Sequence, residues 1–401
     1  MNILLHRIHS TLKQSKEVKE FNDNFINDIN ESLMNDDIYL TEEGDIDDMD
    51  LVFVESGGAE EAFIKMFDKI KSPFLLLSSS KNNSLPACME IKSYATTNKK
   101  ECLIVMGETS EIAETIKHFS HVYHAKMEIS GSRLGIVGKP SDWLIYSKCD
   151  YSEVDKKFGI SLIDISMEEF KKEIDKKQYG HVRHLSELEK KWKKKETLEG
   201  ALYIYGALKR LITRYQLDGL TVRCFDLLKA YKNTACLALA LLNEEGYVAT
   251  CEGDVPSMIT MFILNKLHDD SSFQANPSTI DFTKRTILFA HCTVPFDMVK
   301  DYTLDTHFES GLGIGIKGQL SLGPCTIYKI SADLKEYVAI DGTIKANENL
   351  KEYCRTQITV ELNPRSLMEF MSGNVGNHFI ISYADEPNTF MALLDLYNLE
   401  K

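Results

Sequence analysis

Short apolar runs alternate with amphipathic, charge-bearing segments along the first half of the chain. Ile3 to Ile8 predicts a strand. Lys13 to Leu33 predicts a helix, with Phe21, Phe25, Ile26, Ile29 and Leu33 near helical spacing. Leu51-Val52-Phe53-Val54 has the pattern of a buried strand and runs into Ser56-Gly57-Gly58, after which Ala59 to Ile70 predicts a helix. Phe74 to Leu77 and Cys102 to Met106 repeat the strand pattern, ending in Ser78-Ser79-Ser80 and Gly107. This alternation predicts a parallel sheet flanked by helices.

A second unit of the same kind opens at Arg133 to Gly138 and continues through Ile160 to Ile165. A long helix is expected from Leu185 to Tyr215. Strands at Leu220 to Arg223 and Tyr247 to Thr250, each followed by a helical pattern (Ala235 to Leu242, Ser257 to Leu267), and a strand at Thr286 to Ala290 complete it. After about Asp305 glycines cluster at 311, 313, 315, 318 and 323. Alternating or β-branched stretches then follow at Cys325 to Ile330, Tyr337 to Ile340, Gln357 to Leu362 and Phe379 to Tyr383. They predict an antiparallel β unit, with short helices at Leu367 to Met371 and about Phe390 to Tyr397. The expected organisation is therefore an N-terminal α/β domain (1–130), a central α/β domain (131–304) and a C-terminal β-rich domain (305–401).

Composition narrows the function classes. The 401 residues carry a formal net charge of −14, a poor match for the phosphate backbone of nucleic acid. The one basic run, Lys190-Lys191-Trp192-Lys193-Lys194-Lys195, lies in a charged helical pattern and reads as a solvated face. No apolar run is long enough to span a membrane, and the N-terminus lacks the pattern of a signal peptide. The nine cysteines form no C-x-x-C pair, and several sit in apolar runs. Buried free thiols in a reducing compartment fit this better than a disulfide framework, which makes the cytoplasm the expected location.

Candidate chemistry gathers at strand ends, where open α/β sheets bind ligands. Strand 247–250 runs into Cys251-Glu252-Gly253-Asp254. Phe273-Gln274-Ala275-Asn276-Pro277 follows the next helix, strand 286–290 ends in His291-Cys292-Thr293, and Gly376-Asn377-His378 precedes strand 379–383. A carboxylate, an amide oxygen and imidazoles together suit a divalent ion with open positions. Each residue also has a structural reading: Glu252 or Asp254 as a helix cap, His291 as a hydrogen-bonded core histidine, His378 and Asn276-Pro277 as turn residues, and the glycine run as tight β-turns.

These segments resemble the L-fucose isomerase/L-arabinose isomerase family. Thr306-His307-Phe308-Glu309-Ser310-Gly311, Cys354-Arg355-Thr356-Gln357 and Gly376-Asn377-His378 also resemble its shorter, fucose-isomerase-like branch. The likeness is good over about 219–385 and looser toward the N-terminus, through Arg133 to Gly138 and Pro140-Ser141-Asp142-Trp143. It implies two Rossmann-like parallel-sheet domains followed by a barrel-like β domain. It also implies a homo-oligomer, and Mn²⁺ or another divalent metal serving aldose–ketose isomerisation of a small sugar through an enediol. Carried over by position, the first carboxylate falls on Glu252 and the histidine ligand on His378, and His291 matches a further ligand of the arabinose branch. The second carboxylate falls on Asn276, a departure: an amide oxygen can ligate a metal but takes up no proton near neutral pH. Asp254 is a candidate substitute. Arg355, Trp143 and His307 are candidate sugar contacts, with an ion pair and a partly buried aromatic as the structural readings of Arg355 and Trp143. The alternative to an isomerase is a non-catalytic or catalytically divergent sugar-binding relative.

Overall fold

A computed structural model describes residues 1–11, 15–44, 48–383 and 387–401. The chain divides into two compact units, Met1–Met127 and Glu128–Lys401. The fold is α/β, with two parallel sheets followed by an antiparallel barrel.

In the first unit, strands β1 (Asn2–Ile8), β2 (Tyr39–Thr41), β3 (Met49–Val54), β4 (Phe74–Ser78) and β5 (Cys102–Val105) form a parallel sheet of order β2-β1-β3-β4-β5. β3 and β4 are buried on both faces. Leu51, Phe53, Leu75 and Leu77 pack into one core, and Val52, Val54, Phe74 and Leu76 into another. That is why these strands read as continuous apolar runs. The first helix spans Lys16–Met34 and is capped by Ser15, whose side chain accepts from Val18 N–H. Lys13, the expected start of this helix, lies outside the described residues.

The second unit opens with a four-stranded parallel sheet of order β7-β6-β8-β9, made of β6 (Arg133–Val137), β7 (Ser161–Ile165), β8 (Gly219–Val222) and β9 (Val248–Cys251). The single helix expected from Leu185 to Tyr215 is two helices, Leu185–Lys191 and Lys195–Tyr215. Trp192 leaves the first in an extended conformation and packs on the core. The lysines on either side of it repel one another on successive turns, which favours the break. Lys191 is not free to meet a polyanion, because it donates to Tyr302 O at 2.6 Å.

Strands β10 (Phe273–Asp281), β11 (Thr286–His291), β14 (Gly323–Ile330), β15 (Tyr337–Asn347), β16 (Thr356–Glu361) and β17 (Phe379–Ser382) close into a barrel, β10-β11-β16-β15-β14-β17. β12 (Val299–Asp305) and β13 (Gly315–Leu320) pair separately. The barrel thus begins at Phe273, before the change of composition near Asp305. β10 is disguised in the sequence by Asn276-Pro277. The proline is tolerated because the register shifts between Pro277 and Thr279. Among the described residues, no helix is long and apolar enough to cross a membrane.

Candidate active site

The site lies where the carboxyl end of β9 meets the barrel. Gln274, on β10, accepts from Cys251 N–H at 2.8 Å and so fastens the end of β9 to the first barrel strand. The chain then turns through Glu252 (φ +66°) and Gly253 (φ +73°) before the helix Val255–His268. A Cβ at Gly253 would lie 2.7 Å from Lys139 O and 2.8 Å from Pro140 Cα, so this close approach requires glycine. Ser141 N–H donates to Glu252 O at 2.9 Å, and the 139–143 segment thereby wraps the turn.

Glu252, His291 and His378 are buried, and their ligand atoms all lie within 4.8 Å of one another. One Glu252 oxygen accepts from Trp143 Nε1 at 2.6 Å, and the other lies 3.7 Å from His378 Nε2. Burial opposes ionisation of Glu252, but His378, His291 and Trp143 outweigh it and hold the carboxyl below its usual range. The His291 ring is 5.5 Å from that of His378, and its Nδ1 meets Thr293 Oγ1 at 2.8 Å. Burial, reinforced by His378, lowers its pKa to about 4, so it is neutral near pH 7.

Asp254 does a different job. It caps the helix Val255–His268 by accepting from Ser257 N–H at 2.9 Å, and its other oxygen accepts from His378 Nδ1 at 2.9 Å. Lys329, fully buried, adds an ion pair at 3.3 Å and donates to Ser257 Oγ at 2.7 Å. Burial raises the Asp254 pKa, but Lys329 and His378 prevail and bring it to about 2. Burial lowers that of Lys329, against the pull of Asp254. With both of its oxygens already accepting from Ser257, Lys329 and His378, Asp254 orients His378 rather than offering a free oxygen to a ligand. The imidazole is pinned through Nδ1, and Nε2 is left buried without a hydrogen-bond partner. A carboxylate–histidine pair with the second nitrogen aimed into a cluster is how metal-binding histidines are usually held. Burial resists charging of His378, yet its two carboxylate neighbours raise its pKa to about 9. In the absence of a metal, a proton on this ring offsets the carboxylates.

The register decides the place of Asn276. It faces Ala290 on β11, one residue short of His291. Strand alternation puts its side chain on the face away from His291. The neighbouring Ala275, by the same register, stands opposite His291 and so shares its face; it pairs with Phe379 on β17, and His378, just before Phe379, leaves strand geometry (φ +58°) and brings its ring to 5.5 Å from that of His291. Ala275, Phe289 and Phe379 share one core, in keeping with this facing.

The other candidates lie around the cluster. Trp143, about half exposed, meets Phe225 edge-on at 4.8 Å, and Phe225 meets His307 at 5.3 Å, so the three rings form one wall. Arg355 is occupied by its own neighbourhood: Nε donates to Thr306 O at 2.5 Å, and Asp305 lies 3.5 Å away. The glycine run is structural. A Cβ at Gly313 (φ +62°) would lie 2.7 Å from Thr234 N. Lys329, Phe225 and Ala275 are not singled out by the sequence pattern. Lys329 does leave a signal, as a lone cation in the apolar run Ile327-Tyr328-Lys329-Ile330.

No family model matches the chain. It is similar to proteins named sulfoquinovose isomerase: 22% identical to that of Priestia aryabhattai over 364 residues (85% of this chain, 82% of the relative). It is 21% identical to that of Alkalicoccus urumqiensis over 335 residues (79% and 75%). It is 24% identical to that of a Clostridium species over 214 residues (49% and 46%). These likenesses support a place among sugar isomerases.

Proposed function

We propose that this chain is a divalent-metal-dependent aldose–ketose isomerase of a small sugar, related to the fucose-isomerase-like branch. The observation that carries the reading is the buried Glu252–His291–His378 cluster with the orphaned Nε2 of His378. Two imidazoles and one carboxylate, all convergent, fit a Mn²⁺-like ion and leave positions open for substrate oxygens. When bound, such an ion supplies Lewis-acid polarisation of the adjacent sugar oxygens.

The chain's own residues supply the rest. Glu252 is ionised and held from two sides, and it is the group we assign to take the proton from one carbon of the aldose and return it to its neighbour. Trp143 fixes that carboxylate by its indole N–H and, with Phe225 and His307, offers apolar ring surface to a sugar face. Asp254 and Lys329 keep the His378 tautomer and leave Nε2 free. Arg355 holds the 305–308 segment beside this wall. The similarity to sulfoquinovose isomerases puts sulfoquinovose at the head of a substrate panel. We assign the protein to the cytoplasm, a reducing compartment that suits its mostly buried cysteines, and expect a homo-oligomer.

The test is Mn²⁺ titration followed by ketose detection across aldoses, sulfoquinovose included. Metal binding and turnover lost in Glu252→Gln uphold the reading, whereas no metal binding and no turnover across the panel sink it. A second reading is favoured by Ala275: no second carboxylate stands on the cluster's face at this register position. On that reading the protein binds a sugar without converting it, and the sugar raises the melting temperature while no ketose forms.

A further inference from the structure

Cys251 immediately precedes Glu252, and its sulfur lies 2.9 Å from that of Cys224. Both residues are buried and free. They stand at the ends of adjacent strands, since Val222 of β8 pairs with Cys251 of β9 and Cys224 follows two residues later. The backbone already draws these ends together, because Gly253 N–H donates to Val222 O at 3.1 Å. We propose that Cys224 and Cys251 are a modification site, forming a reversible disulfide that ties β8 to β9 beneath the Glu252 turn.

The bond needs little motion. A disulfide spans about 2.05 Å, so each sulfur moves by roughly 0.4 Å. The oxidant is hydrogen peroxide, and Glu252, the residue after Cys251, keeps its side chain 12% exposed. One thiol sulfur takes an oxygen from hydrogen peroxide, giving a sulfenic acid and a water. The second sulfur attacks the sulfenic sulfur, the S–S bond forms as the S–O bond breaks, and the hydroxyl leaves as water with the second thiol's proton. Two thiols are oxidised by two electrons and one peroxide is reduced to two waters. A small thiol reverses the reaction by exchange. The functional consequence rests on the isomerase reading. A disulfide also fixes the dihedral angle about its S–S bond, so closing it re-aims the side chain and backbone of Cys251, the residue before Glu252. The oxidised protein is expected to bind Mn²⁺ about tenfold more weakly.

The experiment uses the full chain under sustained peroxide, since buried thiols react slowly. Free thiols are then blocked, and the protein is digested without reduction and mapped by mass spectrometry. A Cys224–Cys251 peptide that disappears on reduction is expected, with Mn²⁺ affinity falling on oxidation and returning with reductant. Cys224→Ala should bind Mn²⁺ like the reduced protein and ignore peroxide. If that variant does not fold, the mapping of the unaltered chain still decides. No linked peptide, a link made instead to the neighbouring Cys236, Cys292 or Cys354, or a link without any change in Mn²⁺ affinity overturns the switch. If neither redox form binds Mn²⁺, the proposed metal site fails, while the mapped peptide still decides the disulfide.

Discussion

Two residues of the proposed ligand set, Glu252 (φ +66°) and His378 (φ +58°), occupy the left-handed region that non-glycine residues avoid. Such conformations cost on the order of 1–3 kcal/mol each and persist only where neighbours enforce them. Here the enforcers are Trp143 and Ser141 for Glu252, and Asp254 for His378. Position 275 gives the sharpest residue-scale prediction. Ala275→Asp places a carboxylate on the cluster's face and should tighten Mn²⁺ binding about tenfold or more, whereas Asn276→Asp, on the other face, should change it by less than about twofold; titration of both variants checks this. The pH dependence follows from His378. A proton competes with metal for Nε2 below about pH 9. Metal affinity should therefore climb about tenfold per pH unit from neutrality toward pH 9 and then level off. In the metal-free protein the sign reverses. A histidine raised from 6.5 to about 9 stabilises the fold below pH 6.5, and that contribution fades as pH rises through about 9. Lys329→Met strips the buried Asp254 carboxylate of one of its two cationic partners, so denaturant unfolding should show a loss of about 3 kcal/mol. Glu252, His291 and His378 were legible in the sequence because each sits where a strand pattern begins or ends. Ala275 was not, since counting along the chain cannot tell which of two adjacent residues faces inward. That information lives in the pairing of β10 with β11 and β17.

At the scale of elements, the helix Lys195–Tyr215 shows how context overrides propensity. Gly206 sits in its interior, where alanine would ordinarily favour the helix by about 0.5–1 kcal/mol. A Cβ there would lie 2.1 Å from Gln178 O and 2.4 Å from Tyr179 Cα, because the 178–179 segment crosses the helix against it. Gly206→Ala should therefore destabilise the protein by about 1–3 kcal/mol, read as a lower denaturation midpoint. Strands buried on both faces, such as β3 and β4, were plain in the sequence because apolar runs bounded by small polar residues have few other readings. β10 was not, because Asn276-Pro277 carries a turn signal that a register shift absorbs. The broken helix near Trp192 was obscured for a related reason: apolar spacing persists across a break when both halves bury the same side.

For the whole molecule, every group placed at the candidate site belongs to the second unit. Glu252, Asp254, His291, Lys329 and His378 all lie within Glu128–Lys401, which has its own sheet, barrel and core. A fragment of that span should bind Mn²⁺ within about threefold of the full chain, and isothermal titration of both checks it. Within this unit the cluster forms only when the sheet's Glu252 turn meets the barrel's histidines, so binding competence and docking of the two layers are one event. The indole of Trp143 has a practical consequence. The chain holds two tryptophans, and Trp192 lies in the helix break, while Trp143 is bonded to the Glu252 carboxylate. In a Trp192→Phe background the remaining indole is an intrinsic fluorophore hydrogen-bonded to the proposed base. Metal entry and sugar docking can then be screened by emission alone, without a label and across any set of candidate sugars.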